Sequence, residues 1–227
     1  MTTPLAVPFQ VGQLRCWALD GGRQQLDGGA MFGVVPRPLW ERQIAPDDRN
    51  RIPLALRCLL IDHPAGPVLV DTGVGNKESE KFIDIYGVDN VGSGGPTRLD
   101  DALVIAGFMA SDIKYVVNTH LHFDHGGGNT CVDVDDGAVG DAAKPRPTFE
   151  NATYFVQARE LEFARRRNER IAASYLPPNF EPVTAAGQWQ LVDGESEILT
   201  GVHSLLTPGH VPFHQSIVVS DGRNCLF

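Results

Sequence analysis

The sequence predicts an α/β protein with a well-buried sheet, and three observations carry that expectation. Short apolar runs of strand length recur along the chain, separated by Gly- and Pro-bearing turns. A helix-period stripe interrupts them at residues 97–107. The densest group of chemistry-bearing side chains, His120 to His125, follows directly on a strand-like run, "IKYVVNT". Open α/β sheets place their chemistry at the C-terminal ends of strands.

The 227 residues suffice for one ample core, and the expectation is a single domain over 1–227. The net charge of -9 argues against nucleic acid and against an anionic membrane surface as partners. The opening "MTTPLAVPFQVGQLR" has no basic start followed by an apolar run, and no stretch reaches the ~20 apolar residues of a membrane span. Cys16, Cys58, Cys131 and Cys225 are far apart without C-x-x-C spacing, which fits reduced, mostly buried thiols in a cytoplasmic protein.

"LRCWALD" and "LALRCLLID" read as strands, the second joined through the turn "HPAGP" to "VLVDTG" as a hairpin. His63 falls in that turn and reads as a solvated turn residue. In "TRLDDALVIAG", Thr97 can cap with Asp100 as its partner, Leu99, Ala102, Leu103 and Ala106 form one stripe, and Gly107 stops the helix. Residues 132–147 read as a solvated acidic loop, "ATYFV" as a strand and "QARELEFARRRNER" as a helix. Its arginine run, Arg165 to Arg167, reads as a wet helical face. Asn151-Ala152-Thr153 matches a glycosylation pattern, discounted without a secretory signal. "QWQLVDG", "SEILTGV", "HSLLT" and "HQSIVVSDG" follow as strands and turns, with His203 a surface strand residue. The last residues, "GRNCLF", are a turn and the start of an apolar strand, so the chain is expected to be a fragment of a longer one.

"THLHFDH" taken as extended chain points His120, His122 and Asp124 one way and Leu121 and Phe123 the other. His125 follows where the chain enters "GGGN", whose glycines permit close backbone approach and positive φ. Imidazole and carboxylate donors together suit Zn²⁺ first, with Fe, Mn or Co as alternatives. Four donors so close exceed what one tetrahedral ion takes from a single segment if it also keeps a water, and this hints at two ions.

"HLHFDH" resembles the HxHxDH signature of the metallo-β-lactamase superfamily. "VLVDTG" is similar to the strand and turn beneath that family's metal site, and "LLTPGHVPFHQS" to the segment carrying its third metal-binding histidine, which maps onto His210. The resemblance implies an αββα sandwich with His120, His122 and His210 on one ion and Asp124 and His125 on the other. The family's bridging aspartate and last histidine have no counterpart here, which agrees with the fragment reading. Asp221 is a poor stand-in because it sits in a turn before the strand that would deliver that aspartate. Asp71 is expected to orient a ligating imidazole, or else to bond its own turn. Pro212 excludes a regular helix between His210 and His214, so His214 reads as a strand-end residue or a support behind the ligands.

Paired divalent ions polarise an ester carbonyl and bring a bound water's pKa toward ~7. The implied activity is metal-dependent hydrolysis by the resulting hydroxide, with Asp124 returning a proton to the leaving group. The segment "DGGAMFGVVPRPLWER" resembles the opening of the lactonase-like branch, whose members open N-acyl homoserine lactones. Met31, Phe32, Val34 and Val35 then line an acyl-chain groove or a homodimer contact, against the simpler reading of a buried β segment. A glyoxalase II-like thioesterase and a non-catalytic binding member of the fold are the alternatives. A β-lactamase proper, a flavodiiron-type domain (Glu where His122 stands) and a nuclease branch rank below them.

Overall fold

The computed structural model describes residues 4–133, 144–166, 168–223 and 225–226. Most of the acidic loop expected over 132–147 lies outside them, as do Arg167, Asn224 and Phe227. Thirteen strands are described: β1 (Ala6–Val11), β2 (Leu14–Asp27), β3 (Arg51–Asp62), β4 (Val68–Val70), β5 (Tyr115–Val117), β6 (Thr130–Cys131), β7 (Arg146–Pro147), β8 (Thr153–Gln157), β9 (Trp189–Val192), β10 (Ser196–Leu199), β11 (Val202–Leu206), β12 (Gln215–Ser220) and β13 (Cys225–Leu226). The helices are α1 (Gly28–Phe32), α2 (Arg37–Trp40), α3 (Glu80–Tyr86), α4 (Arg98–Ala106), α5 (Phe123–Gly126), α6 (Ala158–Ala164) and α7 (Glu181–Ala185).

Among the described residues, one mixed sheet runs β1-β2-β3-β4-β5-β8-β9 and a second runs β10-β11-β12-β13. In the first, β1 to β4 pair antiparallel, and β4, β5, β8 and β9 pair parallel. The hairpin expected from "LALRCLLID" and "VLVDTG" is β3-β4, in register Leu60↔Leu69.

The two-residue period of the strands sorts the core into two sides. Trp17, Leu19, Leu60, Leu69, Val116 and Tyr154 face α4 and Val183 of α7. Cys16, Ile61, Val68, Val70, Val117 and Phe155 face Ile198, Val202, Ile217 and Val219 of the second sheet. The order helix layer, sheet, sheet is therefore fixed by alternate residues of the same strands.

Helix α4 forms as its sequence predicts. The Thr97 side chain and Asp100 make the reciprocal capping box, Leu99, Ala102, Leu103 and Ala106 are buried, and Gly107 ends the helix left-handed at φ 93°. Four other expectations are corrected. His63 is buried, with Nε2 3.0 Å from the Thr200 carbonyl and Nδ1 accepting from Ala65 N–H, because the second sheet closes over the β3-β4 turn. Residues 28–32 are helical, since Asp27 caps α1 through Ala30 N–H, and Met31, Val34 and Val35 are exposed instead of buried in a β segment. Arg165 and Arg166 lie beyond α6, which ends at Ala164; Arg165 pairs with Glu181 and Arg166 with Glu162. Gly126, Gly127 and Gly128 do not take positive φ. Their need is space: a Cβ on Gly128 would stand 2.1 Å from the Thr72 carbonyl oxygen, and one on Gly127 2.3 Å from that of Val74.

A buried polar ladder joins the sheets. Gln157 Nε2 donates to Gln215 Oε1 at 2.7 Å, Gln215 Nε2 donates to the Asn118 carbonyl at 2.8 Å, and Gln215 N–H donates to the Thr119 carbonyl. Asn118 in turn exchanges side-chain bonds with Asn129. Cys16 and Cys58 are buried free thiols, and burial pushes the Cys16 pKa up to about 11. Cys131 is free and half-buried. No described helix is long and apolar enough to cross a membrane.

Candidate metal centre

The site is built where β4 and β5 end. Parallel pairing ends at Val70↔Val117, and both chains then turn out of the sheet, one as Asp71-Thr72-Gly73 and the other as Asn118-Thr119-His120. Asp71 adopts φ 57°, left-handed for a non-glycine residue, and there its carboxylate collects three donors. Thr119 N–H and Thr119 Oγ1–H each donate at 2.8 Å, and His125 Nδ1 lies 2.8 Å from Oδ2. Of the two expectations for Asp71, orientation of an imidazole is the one the geometry matches.

The extended reading of "THLHFDH" stops at His122. That residue is the β-region N-cap of α5, and Phe123 to Gly126 turn helically, with His125 and Gly126 N–H donating to the His122 carbonyl. The donors still converge: the helical turn brings the His125 ring centroid to 4.2 Å from that of His120, with Asp124 Oδ2 3.7 Å from His125 Nε2. Leu121 and Phe123 are buried as expected.

His120 is 1 % exposed, and its ring packs against those of His122, His125, His210 and His214 at 4.2–5.1 Å between centroids. Its Nδ1 lies 3.0 Å from Thr119 Oγ1. Its Nε2 is buried and has no hydrogen-bond partner among the described residues. His210, exposed on the segment between β11 and β12, places Nε2 3.2 Å from His122 Nδ1. Ligand atoms of His120, His122 and His210 all lie within 4.8 Å of one another. A buried imidazole nitrogen without a partner, facing two further imidazoles, fits a divalent cation, which would satisfy all three. Asp124 Oδ2 and His125 Nε2, 3.7 Å apart, form a second donor pair beside it.

Proton affinities follow the same geometry. Burial, then the charges of His125, His122, His210 and His214, hold His120 far below the usual imidazole range. Burial also lowers His122, to about 4, against the opposing pull of Asp124. For His125 burial is outweighed by the charge and hydrogen bond of Asp71 and the charge of Asp124, and its pKa rises to about 9. His214 stands outside the three-histidine group, just before β12, with Nδ1 2.8 Å from Thr207 Oγ1.

Gln24 is a site residue the sequence reading missed. It is 2 % exposed on β2, and its Nε2 donates to Asp124 Oδ2 at 2.6 Å. A β-bulge between Asp20 and Arg23, at Gly21-Gly22, re-aims the strand just before it. The signal in the sequence was a Gly-Gly pair followed shortly by two glutamines, Gln24 and Gln25, within β2. Phe82 and Tyr86 of α3 were missed too; with Phe123 they form an aromatic cluster at 4.5–4.9 Å between centroids, beside Asp124. Leu26 of β2 packs on that cluster, and Met31 of α1 is exposed. Phe32 stacks on Trp40 at 5.0 Å.

Residues 52–224 match the family model described as "Metallo-beta-lactamase superfamily". An N-acyl homoserine lactonase of Bacillus cereus is 29 % identical over 182 residues, 78 % of this chain; the chain spans 63 % of that relative's length. An N-acyl homoserine lactonase of Bacillus thuringiensis is 30 % identical over 175 residues, 73 % of this chain and 58 % of its own length. A crystal structure of a probable metal-dependent hydrolase from Staphylococcus aureus superposes with TM-score 0.82 at 31 % identity, over 96 % of this chain and 72 % of that one.

Proposed function

Because the chain belongs to the metallo-beta-lactamase superfamily, we propose that it is the metal-holding part of a hydrolase that opens a lactone ester of the N-acyl homoserine lactone type. The observation that carries this is the three-histidine group with its unpartnered buried nitrogen, set beside the Asp124–His125 pair. His120, His122 and His210 would hold one ion and Asp124 and His125 a second, with zinc the metal the donor set suits best. Such ions supply carbonyl polarisation and a water acidified toward ~7.

The chain's own residues do the rest. Asp71 engages His125 at Nδ1, so Nε2 is the nitrogen presented to the site. Gln24 anchors one oxygen of Asp124, and the Asp124 carboxylate would take a proton from the attacking water and return it to the leaving alkoxide oxygen as the ring opens. Phe82, Tyr86 and Phe123 offer an apolar wall for an acyl chain, and Met31 and Phe32 of α1 are further candidates to line that groove. Exposed Val34, Val35 and Leu39, close together along the chain, suit a homodimer contact. The substrate class is small and neutral, consistent with a net charge of -9 that disfavours nucleic acid and anionic membranes. Buried free thiols at Cys16 and Cys58 suit a cytoplasmic setting.

The test is acid release from N-acyl homoserine lactones by the zinc-loaded chain. Hydrolysis that chelator abolishes and zinc restores is the expected result. Zinc-loaded protein that leaves every lactone intact but cleaves a glutathione thioester would replace the lactonase reading with the thioesterase one.

A further inference from the structure

The His120–His122 segment is gripped by a carboxyl group to which the proposed chemistry assigns no part. Glu160, in the first turn of α6, is 0 % exposed. Its Oε1 accepts the Leu121 N–H at 3.1 Å and the Tyr175 hydroxyl at 2.8 Å. Leu121 is the residue between the two histidines. Tyr175 is itself buried and meets the His122 ring edge-on, 4.7 Å between centroids. Two residues on from Leu121, the Phe123 N–H donates to the Ser174 carbonyl at 2.9 Å. The peptide groups that follow His120 and His122 are thus tied, the first to Glu160 of α6 and the second to Ser174, and the His122 ring rests on Tyr175.

A buried carboxyl is a costly way to fill space. Its second oxygen, Oε2, is buried without a partner among the described residues, and desolvation of such a group opposes folding. An apolar side chain would pack there without that cost. What the carboxyl contributes is one acceptor shared by donors from two segments, the histidine strand-end and the chain after α6. That contribution makes sense if the placement of His122 matters more than local stability.

We propose that Glu160 is a positioning residue for the His120–His122 pair. Through Leu121 it fixes the backbone between the two rings, and through Tyr175 it fixes the plane of the His122 ring. The inference rests on reading those histidines as ligands and is independent of the substrate.

Metal binding alone tests it. The dialysed chain is titrated with Co²⁺, its visible absorption is recorded, and Zn²⁺ affinity is measured against a chromophoric chelator. Circular dichroism of the metal-free proteins reports folding. Glu160→Ala is expected to fold, to bind both metals about 10- to 100-fold more weakly, in the range typical of groups that support ligands, and to shift the cobalt bands. Glu160→Gln, whose amide oxygen accepts the same two donors, is expected to restore wild-type affinity and spectrum. Wild-type binding and spectrum in Glu160→Ala would overturn the proposal, as would a Glu160→Gln protein as weak as Glu160→Ala. If Glu160→Ala does not fold, Tyr175→Phe decides: weaker binding with shifted bands supports the role, and unchanged binding and bands overturn it. His122→Ala separates the two layers of inference. If it binds metal normally, the ligand reading fails and the proposal falls with it; if it loses metal while Glu160→Ala does not, only the role of Glu160 falls.

Discussion

His125 keeps a proton that its neighbours give up. In the metal-free protein its pKa stands at about 9, raised by Asp71 and Asp124 against burial, while burial holds His122 at about 4. The unfolded values lie near 6.5 for both. A raised folded pKa gives stability that is complete below about 6.5 and is lost as pH climbs through about 9. A lowered one gives stability that is complete above about 6.5 and is lost as pH falls through about 4. Chelator-treated protein should therefore show a contribution from these two residues that peaks near pH 6.5, measured by urea unfolding across pH. His125→Ala should flatten the alkaline limb and His122→Ala the acid limb; an alkaline limb untouched by His125→Ala would contradict the assignment. The donors of this cluster were legible in the sequence because four of them lie within six positions. Gln24 and Glu160 were not, since they reach Asp124 and Leu121 across 100 and 39 residues of chain. Nothing local to either residue announces such a contact.

Helix α4 and helix α1 show why some elements could be read and others could not. In α4 the capping box, the apolar stripe and the terminal glycine all agree, and every stripe residue is buried as expected. Local and tertiary preferences coincide there. Thr97→Ala should cost about 1 kcal/mol of stability by thermal or urea unfolding, as removal of an N-cap generally does. Its metal stoichiometry should stay unchanged, because α4 packs on the face of the sheet away from the second sheet. The segment that holds α1 had apolar residues without a clear period, and only the Asp27 cap bond and the stacking of Phe32 on Trp40 select a helix there. The histidine segment is intermediate. Its alternation correctly placed Leu121 and Phe123 inside, but the helical turn of α5 comes from bonds to the His122 carbonyl that a period-two pattern does not reveal.

The α/β class, the hairpin and a well-buried sheet were also legible in the apolar runs, since both faces of the central strands are apolar; the stacking of two sheets was implied by the resemblance of the histidine motifs and not by the strands themselves. Which residues would close the site from the second sheet was not legible, beyond His210. The proposed ligands come from both sides of the sandwich, so on that proposal metal should stabilise the whole. At free zinc about 100 times the dissociation constant, mass action adds about 2.7 kcal/mol, or a rise of about 5–10 °C in Tm for a chain of this size. Calorimetry with and without zinc checks this, and His210→Ala should remove most of the rise.

The ladder of Gln157, Gln215 and Asn118 bears on that same arrangement. Apolar contact between two sheets resists separation but offers little resistance to shear, since it has no direction. Three aligned amide bonds do have direction, and they turn a sliding joint into a pinned one. One leaf of the joint carries His120 and His122, the other His210. Asn118 and Thr119 immediately precede His120, and Gln215 follows His210 by five residues, so the pin sits directly behind the proposed donor triangle and keeps its two sides in register.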